Sequence, residues 1–281
     1  MKLFALAGTC ALACLAFGST AQAQDWTGAY VAGSIGPGFQ TQDASEIVRF
    51  DTNLDRTFTD TVRTAAGANA FSPGFCGGLA VNATAASGCT GDDDGIDFSG
   101  RAGYDWQVGR FAFGGLVDIS KADLIDSVTA FSTTPAFYAF TRELNAVVGL
   151  RGRAGVGNDR LFAYGTAGGA WGSVKHVFTT SNRVNTFLPT DAAHVAIDGS
   201  SERVWGYQAG GGVELRLGGR WTLVNEYLFT SLDDREQSGI RSQGPAPTTN
   251  PFILVNGAGT DFQRSDKFEF QSARVGLSFR F

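Results

Sequence analysis

Two histidines are the first candidates for chemistry, because His176 and His194 are the only histidines in the chain. A hydrolytic site needs a nucleophile beside a base and an acid that orients the base. Ser173 lies near His176, and Asp191 and Asp198 lie on either side of His194. No catalytic motif surrounds either histidine. Ligation of haem iron is an alternative role, but two isolated histidines are more often surface residues. We therefore predict that the protein is not an enzyme and has no cofactor.

An acidic segment, Asp92-Asp93-Asp94-Gly95-Ile96-Asp97, resembles a fragment of a calcium-binding loop. A complete loop needs ligands at fixed alternate positions and a terminal glutamate that binds through both oxygens. This segment lacks both the spacing and the glutamate. It is predicted to be a solvated acidic turn, and we predict no metal site.

The largest set of candidate functional side chains consists of charged residues that alternate with apolar residues along the chain. The set is Arg101, Asp105, Asp118, Glu143, Arg151, Arg153, Glu214, Arg216, Glu226, Arg274 and Arg280. Successive side chains of a β-strand point to opposite faces. The alternation therefore predicts strands with one charged face and one apolar face.

The last segment, 273–281, shows this pattern most clearly. Its odd positions are all apolar, whereas its even positions are Arg274, Gly276, Ser278 and Arg280. Comparable alternation follows Phe98, Phe111, Glu143, Val204 and Trp221. Segment 161–178 is glycine-rich, and we place only Phe162 and Tyr164 on its apolar, lipid-facing side. Segment 26–39 alternates too weakly for its faces to be assigned.

The connections between these eight segments alternate in length. Short connections are marked by Gly109-Arg110, Asn158-Asp159 and Gly218-Gly219. Long polar connections cover about 41–95, 121–138, 180–201 and 232–265. Outer-membrane barrels have short periplasmic turns and long outer loops. Residues 24–281 are therefore predicted to form an all-β, eight-stranded antiparallel up-and-down transmembrane β-barrel, with both histidines near or outside its outer rim.

Aromatic residues near the strand ends fit the same architecture, because such residues anchor a barrel at the membrane interface. Those predicted for the periplasmic interface are Trp26, Trp106, Phe111, Phe162, Trp221 and Phe281. Closure of the sheet is required because an unpaired backbone group in hydrocarbon costs several kcal/mol.

The first 23 residues have the features of a signal peptide. Lys2 supplies a positive start, residues 3–17 form an apolar run, and Ala21-Gln22-Ala23 fits a cleavage site. The apolar run is too short to cross a bilayer as a helix. We expect residues 1–23 to be removed on export, which leaves Cys76 and Cys89 as the only cysteines. An oxidising compartment favours a disulfide between them, with two free thiols as the alternative.

The formal net charge of the whole chain is −5, and no cluster of basic residues is present. This mildly acidic balance argues against nucleic acid as a partner.

The charged face has two interpretations. An eight-stranded barrel has an interior that side chains just fill, and buried charges of opposite sign must pair. A salt-bridged plug is favoured on this ground. The alternative is a narrow polar path for ions or small solutes, for which the glycines of the inner faces leave some room.

Several short motifs resemble one family of proteins. The segment Asp25-Trp26-Thr27-Gly28-Ala29-Tyr30-Val31-Ala32-Gly33 is similar to the opening of small alphaproteobacterial outer-membrane proteins, often called outer-membrane immunogenic or opacity-like porin-family proteins. Further similarities are Arg151-Gly152-Arg153-Ala154-Gly155, Tyr164-Gly165-Thr166-Ala167-Gly168-Gly169, residues 221–227 and Arg280-Phe281. The disulfide-capable first loop and the extended fourth loop depart from the family pattern.

The resemblance implies an integral protein of the bacterial outer membrane that is a monomer or loosely associated. It also implies that Phe281 is the aromatic signal recognised by the outer-membrane assembly machinery. Members of the family are described as porins, envelope-stabilising proteins, surface antigens and haemin binders, and the family has no catalytic residues to transfer. We predict a structural barrel, in contact with outer-membrane lipid, with narrow porin activity for ions or small solutes. The alternative is a surface binding or adhesion module that acts through the outer loops.

Overall fold

The computed structural model describes residues 25–40, 46–190, 201–234, 239–264 and 267–281. The expected signal peptide lies outside these residues. In chain order the strands are β1 (Gly28–Phe39), β2 (Val48–Asp51), β3 (Gly74–Gly77), β4 (Leu79–Ala80), β5 (Cys89–Thr90), β6 (Gly95–Val108), β7 (Phe111–Ala122), β8 (Ile125–Ser132), β9 (Ala136–Gly157), β10 (Leu161–Thr180), β11 (Thr186–Pro189), β12 (Ser201–Gly218), β13 (Trp221–Asp233), β14 (Ile240–Gln243), β15 (Thr260–Arg264) and β16 (Phe268–Arg280). A short 3₁₀ turn covers Ala85–Ser87. Within the described ranges, no helix has the length and apolar character needed to span a membrane.

Eight strands form a closed ring in which each strand is antiparallel to both neighbours. The ring order is β1-β6-β7-β9-β10-β12-β13-β16. Pairing of β1 with β16 closes it, with Tyr30 opposite Arg280 and Ile35 opposite Val275. The predicted eight-stranded up-and-down barrel is confirmed.

The alternation of side chains sets the two faces of the barrel wall. On neighbouring strands, Val117 and Leu150 lie opposite each other and face outward, 46% and 55% exposed. The next residues along the two strands, Asp118 and Arg151, point inward and are each 1% exposed. A wall with apolar residues outside and charged residues inside is suited to hydrocarbon, where only a sheet without edges can satisfy its backbone.

The periplasmic end of the barrel is marked by tight turns and exposed aromatic residues. Gly109 and Gly219 have φ values of 61° and 55°, in the left-handed region that favours glycine. Trp106, Phe111 and Trp221 are at least 49% exposed around these turns. They form the interfacial belt expected from the sequence.

The opposite limit of the hydrocarbon is marked by Trp171 and Trp205, which are cross-strand neighbours. Beyond them the outward side chains become charged, as in the ion pair between Lys175 and Glu143. Charged residues on the lipid face are destabilising within the hydrocarbon. The outer ends of the strands, including the end of β10, therefore rise above the membrane.

Above this limit, the connections fold into a unit that we call the outer cap, made of β2–β5, β8, β11, β14, β15 and the outer ends of β9 and β10. Strands β11, β14, β15 and β2 form a four-stranded sheet. Strand β8 pairs with the extended β9, and β3 adds to β8. The predicted connection 121–138 does lie between β7 and β9, but most of it is strand and largely buried instead of a polar loop.

The outer cap has its own apolar core, which the sequence analysis did not predict. Phe50 stacks close to Phe71, with ring centroids 4.4 Å apart, and Phe262 is fully buried against both. The cluster consists of Val48, Phe50, Val62, Ala70, Phe71, Val128, Ala130, Ala136, Tyr138, Phe140, Phe178, Ile240, Phe252 and Phe262. The disulfide between Cys76 and Cys89 is present and closes a small ring beside β8.

Candidate functional site

The lumen contains a balanced set of buried charges. Their side chains are at most 8% exposed. The five cations are Arg101, Arg151, Arg153, Arg274 and Arg280, and the five anions are Asp97, Asp105, Asp118, Glu214 and Glu226. We call these ten residues the luminal network. Equal numbers of opposite charges allow each group to be neutralised inside the barrel.

The periplasmic part of the network is organised around Arg153. Its guanidinium donates to Asp105 over 2.8 Å and to Glu214 over 2.6 Å. The same guanidinium lies over the ring of Tyr30, 4.2 Å from the ring centroid. Arg280 also donates to Asp105, over 2.9 Å. Two cations and two anions are therefore joined by hydrogen bonds at this level of the lumen.

The middle of the network is organised around Glu226. Arg101 donates to it over 2.7 Å, Arg151 over 3.3 Å and the hydroxyl of Tyr164 over 2.8 Å. Arg151 also donates to Asp118, over 3.1 Å. This carboxylate is the acceptor shared by three strands that the sequence places far apart.

The outer part of the network joins Arg274 to Asp97 over 2.7 Å and to Asp118 over 3.4 Å. Asp97 was missed as a luminal residue because the sequence analysis assigned it to the acidic turn. Its position one residue before the outward Phe98 is the signal that could have identified it.

Trp26 lies inside the barrel at its periplasmic mouth. It is fully buried, and its indole Nε1 donates to the carbonyl of Asn158 over 2.8 Å. The guanidiniums of Arg216 and Arg280 lie over its ring, 4.5 Å and 5.4 Å from the centroid. Arg216 is therefore on the luminal side, as predicted, but at the mouth and half-buried.

Three aromatic residues do not lie where the sequence analysis placed them. Trp26 and Phe162 were assigned to the interfacial belt, but both are fully buried inside the barrel, with ring centroids 5.4 Å apart. Tyr164, assigned with Phe162 to the lipid face, also points inward. Between Leu161 and Trp171, the opposite face of β10 consists of small residues such as Ala163 and Gly165, so that apolarity could not distinguish the two faces there.

Glu143 does not belong to the lumen, which corrects the sequence prediction. The pairing of β9 with β10 shifts register between Ser173 and Val174, and Asn145 is the extra residue on β9. A β-bulge of this kind reverses the side-chain alternation beyond it. Glu143 consequently faces outward and pairs with Lys175, whereas the neighbouring Arg142 points inward.

Arg142 belongs to a second buried cluster, which joins the outer cap to the barrel and which we call the cap junction. The guanidinium of Arg142 contacts Asp126 and lies 2.9 Å from Asp234. Arg264 bridges Asp126 and Glu46, each over 2.7 Å. These residues come from β8, β9, β15 and the segments before β2 and after β13. The cap junction therefore ties distant segments together by paired charges.

Titration within the cap junction follows from burial and from these charges. Burial opposes ionisation of Asp126, but Arg142 and Arg264 outweigh it and lower the pKa of Asp126 to about 2. Burial lowers the pKa of His176 to about 4; Asp234 opposes this shift, and Arg142 and Arg264 add to it. The imidazole Nε2 lies 4.0 Å from Asp234 and has no hydrogen-bond partner among the described residues.

The structure does not bring together the residues of the hydrolase alternative. His176 points inward and is 4% exposed, whereas Ser173 is on the outward face of β10. His176 is therefore not a surface residue, contrary to the prediction. His194 and Asp191 lie outside the described residues, as does Asp198.

Two carboxylates of the acidic segment accept hydrogen bonds from backbone amides of neighbouring segments. Asp92 accepts a hydrogen bond from the amide of Ser127 over 2.7 Å, and Asp94 accepts one from the amide of Gln40 over 3.3 Å. One oxygen each from Glu46, Asp92 and Asp126 lie within 4.8 Å of one another. Arg142 and Arg264 already neutralise two of these carboxylates.

The closed ring, the apolar outer face and the charged interior define an integral β-barrel protein of the bacterial outer membrane. The chain is 27% identical over 183 residues to the 31 kDa outer-membrane immunogenic proteins of Brucella melitensis and Brucella suis. The match covers 64% of this chain and 64% of the length of these curated relatives. The resemblance to outer-membrane immunogenic proteins is thereby confirmed.

Among solved structures, the fold is similar to that of OprG from Pseudomonas aeruginosa, with a TM-score of 0.43 and 11% identity. That likeness covers 91% of this chain and 97% of OprG. For Neisserial surface protein A the TM-score is 0.36 and the identity 10%, over 91% of this chain and 98% of that one. No family model matches the chain.

Proposed function

We propose that this protein is a closed outer-membrane scaffold that displays the outer cap at the cell surface as a module for recognition. The observation that carries the proposal is the luminal network, in which five cations and five anions pair with at most 8% exposure. This favours the binding alternative over the porin.

Passage of an ion through this lumen requires luminal charged groups that face water and are not already held in ion pairs, so that they can stabilise the ion as it passes. Here Glu226 is held by Arg101, Arg151 and Tyr164. Separation of a buried ion pair leaves uncompensated charge, at a cost of several kcal/mol. Trp26 adds a second barrier at the periplasmic mouth. The ion pairs of the luminal network therefore serve to hold the barrel strands together.

The outer cap is more ordered than loops that only connect strands need to be. It has an aromatic core, a disulfide and the cap junction. Several apolar side chains remain exposed on it, including Val81 at 59%, Val184 at 57% and Val255 at 59%. Exposed apolar residues on a rigid frame support a role in protein or surface binding. The name of the Brucella relatives, which describes them as immunogenic, accords with a surface antigen.

Two partners follow from the barrel itself: outer-membrane lipid on its wall and the assembly machinery at its end. Phe281 is 64% exposed and packs edge-on against Phe279, with ring centroids 5.3 Å apart. An exposed aromatic residue directly after the last barrel strand is accessible to the machinery while that strand is inserted. The proposed scaffold is a monomer, which is supported by closure of the ring within one chain without a strand from a second copy.

The orientation that the proposal requires can be tested with single cysteines. Val255→Cys places a thiol on the outer cap, and Arg110→Cys places a matched thiol on the opposite turn. On intact cells we expect a membrane-impermeant maleimide to label the first variant, whereas the second is labelled only after lysis. Labelling of Arg110→Cys on intact cells, or protection of Val255→Cys, would contradict display of the cap at the surface.

A further inference from the structure

Two tryptophans mark where the barrel wall passes from hydrocarbon to lipid headgroups. Trp171 on β10 lies directly opposite Trp205 on β12, and the rings make an edge-on contact with centroids 4.6 Å apart. Trp205 is 64% exposed on the outer surface. The amphipathic indole is enriched at membrane interfaces, so this pair lies at the level of the outer headgroups.

Two cations stand immediately above these rings on the same outward face. Arg203 lies opposite Ser173, one outward-facing step beyond the tryptophans, and Lys175 lies opposite Ser201, one step further. Diagonal neighbours of this kind on adjacent strands are about 7–8 Å apart, within reach of two long side chains. We call Glu143, Trp171, Lys175, Arg203 and Trp205 the rim patch.

The two cations differ in how they are neutralised. Lys175 is held by Glu143, with Nζ 2.8 Å from the carboxylate. Arg203 is exposed and forms no ion pair within the described ranges of the chain. The rim patch therefore has one neutralised cation and one cation whose charge is available to a ligand.

We propose that the rim patch binds a phosphorylated headgroup of an outer-leaflet glycolipid, with Arg203 as the principal contact. The planar guanidinium offers paired N–H donors that match the oxygens of a phosphate. The indole rings below it fit the start of the acyl chains, and Lys175 can contact the same phosphate from above. A headgroup is the occupant because the patch is continuous with the lipid-facing wall.

The β-bulge at Asn145 lowers the positive charge of the rim patch, because it places Glu143 on the outward face beside Lys175. Without the bulge, Glu143 would point into the lumen, and Lys175 would have no carboxylate beside it. With the bulge, the carboxylate of Glu143 offsets part of the positive charge of Lys175 and Arg203.

The test measures lipid A retention by the full mature chain, folded in detergent micelles, by native mass spectrometry. The probe is lipid A with two phosphates, and dephosphorylated lipid A is compared with it. We expect Arg203→Gln to reduce the affinity for the phosphorylated lipid about tenfold, the equivalent of one charge-assisted contact. Glu143→Gln releases Lys175 and should increase the affinity. Arg220→Gln, on an exposed periplasmic turn, is the matched control and should leave it unchanged.

Opposite shifts for the two rim variants, with dephosphorylated lipid bound weakly by all chains, support the site. Equal retention of the two lipids overturns it, as does a loss in Arg220→Gln as large as that in Arg203→Gln. Heat-modifiable gel mobility shows whether each variant is folded. Should Arg203→Gln fail this check, the sign of the change in Glu143→Gln decides, because a decrease there contradicts the proposal.

Discussion

Replacement of Arg153 by methionine is expected to destabilise the folded barrel by about 3–5 kcal/mol. Arg153 donates to Asp105 and Glu214 through separate nitrogens, and both carboxylates are completely buried. Methionine has an apolar side chain of similar length, so that the main loss is the positive charge. Removal of one partner leaves an uncompensated buried charge, which is costlier than replacement of the whole group.

The measurement is reversible urea unfolding of the refolded protein in lipid vesicles, followed by tryptophan fluorescence. Arg216→Met is the matched control, because Arg216 lies on the same face but is half-buried and stacks on Trp26. We expect the control to lose about 1 kcal/mol or less, the usual size of an exposed cation–π contact. Arg153→Lys should fall between the two, since an ammonium cannot reproduce the planar fork. Equal small losses in all three variants would show that the luminal network does not stabilise the barrel.

Acidification is expected to loosen the outer cap through His176 before Asp126 of the cap junction is protonated. The pKa of this imidazole is about 4 in the folded protein, against an ordinary value of 6.5. A lowered histidine pKa means that the unfolded chain binds the proton more tightly. Its stabilising contribution is therefore complete above pH 6.5 and is lost as the pH falls towards 4, in total roughly 3 kcal/mol.

Hydrogen exchange of the buried Phe50 and Phe262 amides between pH 7.5 and 4, corrected for intrinsic rates, measures this loss. The groups that face the imidazole are Asp234, Arg142 and Arg264. His176→Gln should remove the pH dependence in this window, whereas His194→Gln, the only other histidine variant available, should retain it. The stabilising contribution of Asp126 is complete above its ordinary pKa of 3.8 and is lost only as the pH falls from there towards 2, below this window, because its pKa in the folded protein is about 2. A pH dependence that persists in His176→Gln would assign the effect to another group.

The regular alternation of the strands made most of the lumen predictable from sequence. Arg151 and Arg153 were placed inside because their neighbours Leu150 and Ala154 are apolar, and lipid accepts only the apolar set. The same argument placed Glu226 and Arg274. Whether such a side chain points inward or outward depends only on the two-residue alternation of the strand, and a single sequence is enough to show that alternation.

The predictions failed where the alternation of side chains along a strand was interrupted. They also failed where the two faces of a strand did not differ in apolar character. Asn145 adds one residue to β9, and nothing in the local sequence distinguishes this bulge from regular strand. Along β10, the large rings of Phe162 and Tyr164 face inward, where they stack on each other and Phe162 packs against Trp26. Between Leu161 and Trp171, the lipid face of that strand is made of small residues, which inverts the usual expectation.

The outer cap was not predictable because its pairings join segments that are distant in sequence. Strand β2 pairs with β15, with Phe50 opposite Phe262. Each contributing segment is short and mixed in composition, so that none has a clear pattern alone. Their apolar residues become a core only when the barrel brings the segments to one end.

The most direct test of the closed scaffold is the single-channel conductance of the refolded mature chain in a planar bilayer, with heat-shifted gel mobility to confirm folding. We predict that the folded protein gives no conductance steps, because in the proposed closed scaffold the paired charges of the luminal network and the buried Trp26 block the passage of ions. Reproducible steps that change on neutralisation of Arg151 or Glu226 would contradict the account and show that ions pass through the charged lumen.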